Sequence, residues 1–96
     1  MLTSKQRAHL AGLATKLDPI VYLGKAGAAA GVSEALERAL ADHELVKLRF
    51  VDFKGERNEL ARQLATQSGA ELIRVIGNVG VFFRQQPDPK KRKLEI

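Results

Sequence analysis

Gly24-Lys25-Ala26-Gly27 is the segment of this sequence best suited to chemistry, and the chemistry is anion binding. Glycines at both ends remove side-chain bulk and open backbone angles that other residues avoid. A negatively charged polymer backbone can then come close, and Lys25 puts a mobile positive charge at the tip. The alanine-rich stretch that follows is helical in character. No Ser, Thr, Asp or Asn lies between Gly24 and Gly31 to cap its first amides. Unpaired N–H groups and the helix dipole favour an anion at that end. The segment lacks the Gly-Lys-Ser/Thr ending of a P-loop and the Gly-x-Gly-x-x-Gly of a dinucleotide site. Gly-x-x-Gly alone also serves as a plain strand-to-helix turn. The phosphate reading comes from the lysine, the uncapped helix and the overall charge taken together.

That charge is +5, from 16 Lys plus Arg against 11 Asp plus Glu in 96 residues. A basic domain of this size suits a polyanion partner, although a basic isoelectric point also occurs without one. The length fits one domain. With no cysteine, disulfides, thiolate catalysis and cysteine-based zinc sites are excluded. His9 and His43 are far apart and lack ligand partners at metal spacing, so no metal or cofactor is expected. Asp42 and Glu44 read as a solvated corner. Ser4, Ser33 and Ser68 have no recognisable base nearby. These residues argue against an enzyme. No apolar run reaches the roughly 18 residues of a membrane span, and the first residues lack the apolar core of a secretory signal. The expectation is a cytoplasmic protein without membrane contact.

The elements that must position the turn are legible from periodicity. Thr3 and Gln6 form a capping-box pattern, and Leu10, Leu13 and Ala14 continue at helical spacing. Lys5, Arg7 and Lys16 are expected away from Leu10 and Leu13, and Asp18-Pro19 stops the helix. Residues 20–23 read as a buried strand. A helix is expected over 29–42, with Val32, Leu36, Ala39 and Leu40 on one face and a Glu34–Arg38 pair on another. Residues 45–51 read as a strand with Val46, Leu48 and Phe50 on one face and Lys47 and Arg49 on the other. A helix over 56–68 carries Leu60, Ala61 and Leu64 inward, with Gly69 as its C-cap. Strands over 71–76 and 79–84 flank the hairpin turn Gly77-Asn78.

The order is αβαβαββ, which implies a four-stranded mixed sheet covered by helices. Strand–helix–strand units are expected as parallel crossovers, and the last two strands as an antiparallel hairpin. Lys47, Arg49, Arg74 and Arg84 fall on strands, with Phe82 at the parity of Arg84. They allow either a partly open basic sheet face or side chains that snorkel at sheet edges. Residues 1–86 form the domain. Residues 87–96, broken by proline and carrying Lys-Lys-Arg-Lys, are expected to be a mobile basic tail.

Three stretches carry a resemblance: "PIVYLGKAG", "GVSEALERALADHELVKLRF" and "SGAELIRVIGNVGVFFR". In their order and spacing the chain, over residues 2–84, resembles the CRM domain in its bacterial stand-alone, YhbY-type form. The CRM domain takes its name from chloroplast RNA splicing and ribosome maturation. The resemblance implies a fold similar to the C-terminal domain of bacterial translation initiation factor three. It implies a non-catalytic RNA-binding module whose bacterial members associate with precursors of the large ribosomal subunit. The RNA-contacting turn then falls on Gly24, Lys25, Ala26 and Gly27, and Lys5, Arg7 and Lys16 extend the positive surface. KH domains clamp a nucleotide backbone with a Gly-x-x-Gly loop by the same physics. A monomer is expected, with every apolar stripe used internally. The competing reading is a protein-interaction adaptor that uses an exposed strand edge and carries charge for solubility.

Overall fold

Thr3 starts the first helix with a complete capping box. Its Oγ1 accepts the Gln6 N–H at 3.1 Å, and its own N–H donates to Gln6 Oε1 at 2.9 Å. The computed structural model describes residues 2–24, 30–51, 55–92 and 94. The elements are α1 (Ser4–Ala14), β1 (Val21–Leu23), α2 (Ala30–His43), β2 (Leu45–Phe50), α3 (Arg57–Ser68), β3 (Glu71–Ile76) and β4 (Val79–Phe83). This is the αβαβαββ order expected from the sequence. Gly69 closes α3 in the left-handed region, with φ 68°.

The sheet has four strands in the order β1-β2-β4-β3. β1 pairs in parallel with β2, Val21 opposite Leu48 and Leu23 opposite Phe50. β4 pairs antiparallel with both β2 and β3. β2 and β3 therefore run the same way, as a crossover requires, yet they are not neighbours. The hairpin at Gly77, with φ 57°, folds β4 back into the gap between them. β4 is thus buried on both faces, and Val81, Phe82 and Phe83 are all in the core.

Helices α2 and α3 cover one face of the sheet. Leu36, Leu40, Leu64 and Ala61 meet Val46, Leu48, Phe50 and Phe82 there. Gly80 lies in this layer because a Cβ would sit 2.9 Å from Phe82 Cε1 and 3.5 Å from Phe50 Cε2. Helix α1 covers one end of the other face, placing Leu10 and Ala14 on Leu45, Val81 and Phe83. Among the described residues only α1 and Leu94 pack on that face, both at the Leu45, Val81 and Phe83 end, and Tyr22, Arg49 and Ile76 at the other end stay exposed.

Several expectations are corrected. Phe82 is buried under the helices. Arg84, of the same parity, donates to the Ser68 carbonyl at 2.7 Å and pairs with Glu37, so it staples α2 to α3 and takes no part in an open face. Glu34 and Arg38 are both exposed, and among the described residues no ion pair joins them.

The corner at Glu44 is not solvated. Glu44 is 1% exposed and adopts φ 64° as the left-handed residue after α2, donating to the Leu40 carbonyl at 2.9 Å. A left-handed non-glycine residue costs roughly 1–2 kcal/mol. The side chain offsets that cost: its carboxylate accepts the Gln86 N–H at 2.7 Å and the Leu94 N–H at 3.1 Å.

Those two bonds also alter the picture of a mobile tail. A short 3-10 turn, Pro89–Lys91, is capped by Asp88, and Arg92 Nε donates to the Gln86 carbonyl. Leu94 packs on the α1 cluster. Proline breaks helix and strand here, yet one buried carboxylate and one apolar side chain hold Gln86 and Leu94 against the body.

Candidate nucleic-acid interface

β1 ends at Leu23, Gly24 follows it, and α2 begins at Ala30. Lys25, Ala26 and Gly27 lie outside the described residues. α2 packs on β1 and β2, so its N-terminus stands at the end of the sheet where β1 stops. No acidic residue occupies its first turn, which leaves the dipole unopposed by a side-chain carboxylate. Gly24 itself is not in the left-handed region, and a Cβ built there meets nothing within 4 Å. Neither backbone angle nor described crowding demands a glycine at position 24. The bare backbone leaves room for an approaching group.

The three basic residues of the first helical segment separate. Lys5 and Lys16 are exposed. The Lys16 N–H donates to the Leu13 carbonyl, which prolongs the last turn. Lys16 thus stands in the tight turn that ends α1, one position past its C-cap, and Lys5 in its first turn. Arg7 belongs to another side. Its guanidinium donates to the Leu72 carbonyl at 2.8 Å and to Glu71 Oε2 at 3.2 Å, tying α1 to the edge strand β3. The expectation that Arg7 extends a free positive surface is corrected: its position near the Ala14 side of the helix turns it to the sheet.

The open part of the sheet adds residues that the sequence reading assigned elsewhere. Tyr22, expected to be buried, is 55% exposed, and Ile20 is 52% exposed. β1 is buried on one face only, with Val21 and Leu23 inward and Tyr22 outward. Register places Tyr22 opposite Arg49, Arg49 opposite Val79, and Val79 opposite Ile76, which is 56% exposed. Arg74 lies opposite Val81 on the same side, and both arginines are exposed. The outward parity of Lys47 and Arg49 carried this signal, because a parallel partner in register must alternate with them. The premise that every apolar stripe is used internally fails at Ile20, Tyr22 and Ile76.

Beside Ile20 a groove of about 690 Å³ runs between α1 and β2, lined by Leu13, Leu17 and Leu45 with Lys16, His43 and Lys47 among its polar groups. Lys47 Nζ donates to the Leu17 carbonyl at 3.0 Å, holding the connection after α1 to β2.

Comparison with known proteins bears on this arrangement. The CRS1 / YhbY (CRM) domain matches residues 2–84. The chain belongs to the CRM domain family. A Pseudomonas aeruginosa protein named as a probable RNA-binding protein is 33% identical over 96 residues, covering 99% of this chain and 92% of the relative. A Haemophilus influenzae protein named as an RNA-binding protein is 33% identical over 90 residues, covering 93% of this chain and 91% of the relative. A hypothetical Staphylococcus aureus protein, proposed to bind RNA, has a solution structure that superposes with a TM-score of 0.80 at 33% identity, covering 99% of this chain and all of that one. The CRM-family fold inferred from the sequence is thereby shown.

Proposed function

We propose that this CRM-family chain is a non-catalytic RNA-binding protein that acts on precursors of the large ribosomal subunit. Its relatives from Pseudomonas and Haemophilus carry RNA-binding names. The observation that carries the reading is the convergence at one end of the sheet. β1 stops there, Gly24 follows with no side chain, Lys25 comes next in sequence, and α2 begins with no acidic residue in its first turn. Such an end favours phosphate by dipole, amide donors and charge together. Lys25 supplies the point charge, and the amides of Ala26 and Gly27 supply donors. Lys5 and Lys16 extend the positive surface along α1. Arg7 acts through the fold, by holding α1 in place.

The test is sedimentation of cell lysates. The protein is expected with large-subunit precursors at low salt and absent from mature particles, and raised salt should strip it off by counterion competition. Digestion with RNase should release it. Retention on a purified protein after RNase, unaffected by Lys25→Ala, would overturn the reading in favour of an adaptor. Such an adaptor would use an exposed strand edge, and β1 and β3 are the edges of this sheet.

A further inference from the structure

Tyr22 is an unusual residue to leave uncovered. It projects from the middle of β1 onto the face that α1 does not reach, beside exposed Ile20 and directly across from Arg49. Exposed apolar side chains gathered on one face commonly mark a binding surface. Two cations stand on this face: Arg49 and Arg74 are exposed, and among the described residues neither has an ion-pair partner. A flat ring directly across from the Arg49 guanidinium, with Arg74 about three strand spacings away on the far edge strand, suits one kind of occupant, an unstacked nucleobase in a strand whose phosphates run across the sheet.

Distance supports continuity with the turn. Tyr22 lies two residues before Gly24, so about 6.6 Å of strand separates them. Arg49 stands one strand spacing away, about 4.8 Å, on the side opposite the sheet edge. A nucleotide whose phosphate sits at the turn can therefore lay a neighbouring base on Tyr22 and direct the next phosphate across Arg49.

We propose that the open sheet face around Tyr22 is a base-stacking subsite for single-stranded RNA, with Arg49 and Arg74 as its phosphate contacts. This rests on the RNA-binding reading above and extends it from phosphate contact alone to discrimination between unpaired and paired RNA. In a duplex the bases are stacked on each other and unavailable to the ring, so the subsite adds affinity only for unpaired segments.

The chain has one tyrosine and no tryptophan, so its intrinsic fluorescence reports Tyr22 directly. The probes are an oligouridylate of about 12 nucleotides, within the usual site size for single strands, and an oligoadenylate–oligouridylate duplex of the same length. Oligouridylate should quench the tyrosine emission of the wild type. Tyr22→Ala should weaken oligouridylate binding by about 10- to 100-fold with the salt slope unchanged, because stacking releases no counterions. Tyr22→Phe should bind like the wild type, and duplex affinity should be the same for all three. Arg49→Ala should lower the salt slope by about 1.

Several results would overturn the proposal. If Tyr22→Ala binds oligouridylate as tightly as the wild type while Lys25→Ala weakens it, the subsite is absent and the RNA-binding reading survives. If the wild type binds neither RNA, both fail. If Tyr22→Ala leaves RNA affinity intact but abolishes self-association in sedimentation, the face is a protein contact.

Discussion

One substitution made at two glycines should have opposite consequences. At Gly80 a Cβ would sit 2.9 Å from Cε1 and 3.4 Å from Cζ of Phe82, whose side chain is fully buried. The ring cannot swing away freely, since Phe50 Cε2 is 3.5 Å from the same point. Overpacking a close-packed core costs roughly 1–3 kcal/mol. Alanine recovers roughly 0.5–1 kcal/mol of backbone entropy relative to glycine in a strand. The net expectation for Gly80→Ala is a loss of about 1 kcal/mol. For a domain of this size that lowers Tm by about 4–8 °C. At Gly24 nothing lies within 4 Å and the backbone is outside the left-handed region. Gly24→Ala should leave Tm unchanged or raise it, by up to about 1 kcal/mol of stability, while the added methyl obstructs RNA at the turn. Thermal melts by circular dichroism, beside an RNA titration of each variant, check both. A Gly80→Ala protein as stable as the wild type would refute the packing of β4 on the helices. A clear fall in Tm for Gly24→Ala would show that the glycine serves the fold, and would remove the case that it is there for a ligand.

Leu48 is fully buried in the α2–α3 layer, so Leu48→Ala should cost about 2–5 kcal/mol in chemical denaturation. Lys47→Ala, on the opposite face and bonded to the Leu17 carbonyl, should cost under about 1 kcal/mol, and equal losses would break the face assignment. Arg7→Ala should lower stability with the RNA salt slope unchanged, because its guanidinium is spent on Leu72 and Glu71, whereas Lys5→Ala should lower the slope by about 1 with Tm unchanged. Glu44→Ala removes the acceptor of the Gln86 and Leu94 amides. Trypsin should then cut at Lys90, Lys91 and Arg92 faster than in the wild type, and an unchanged cleavage rate would show that the carboxylate does not hold the tail.

Local signals were legible in the sequence. The Thr3–Gln6 capping box, the Gly69 cap, the alternation in β2 and the turn at Gly77 all appear where the residues place them, because each depends on neighbours a few positions away. The insertion of β4 between β2 and β3 depends on pairing across the whole C-terminal half, which periodicity does not encode. Arg7, Arg84 and Glu44 are the same kind of case. Each is a charged residue whose partners lie more than ten positions away, at Leu72, Ser68 and Leu94, so charge alone suggested surface roles. Tyr22 was misplaced because an apolar run of four reads as two-sided burial, while α1 is too short to cover β1 as well as β4. At the candidate site, the strand and helix that flank Gly24-Lys25-Ala26-Gly27 were legible, as was the exposure of Lys5 and Lys16. A partly open basic face was one of the two readings of Arg49 and Arg74 in the sequence, but that Tyr22 joins it became visible only through the cross-strand register of Tyr22 and Arg49.

The central claim is that the turn at Gly24 to Gly27 holds RNA by its phosphates, and the salt dependence of binding tests it most directly. Affinity for a structured RNA is measured over a series of salt concentrations for the wild type and for Lys25→Ala, with melting curves for both. The account predicts a steep linear fall of log affinity with log salt for the wild type. For Lys25→Ala it predicts weaker binding, a slope smaller in magnitude by about 1, and an unchanged Tm. Identical slopes and affinities for the two proteins would contradict it.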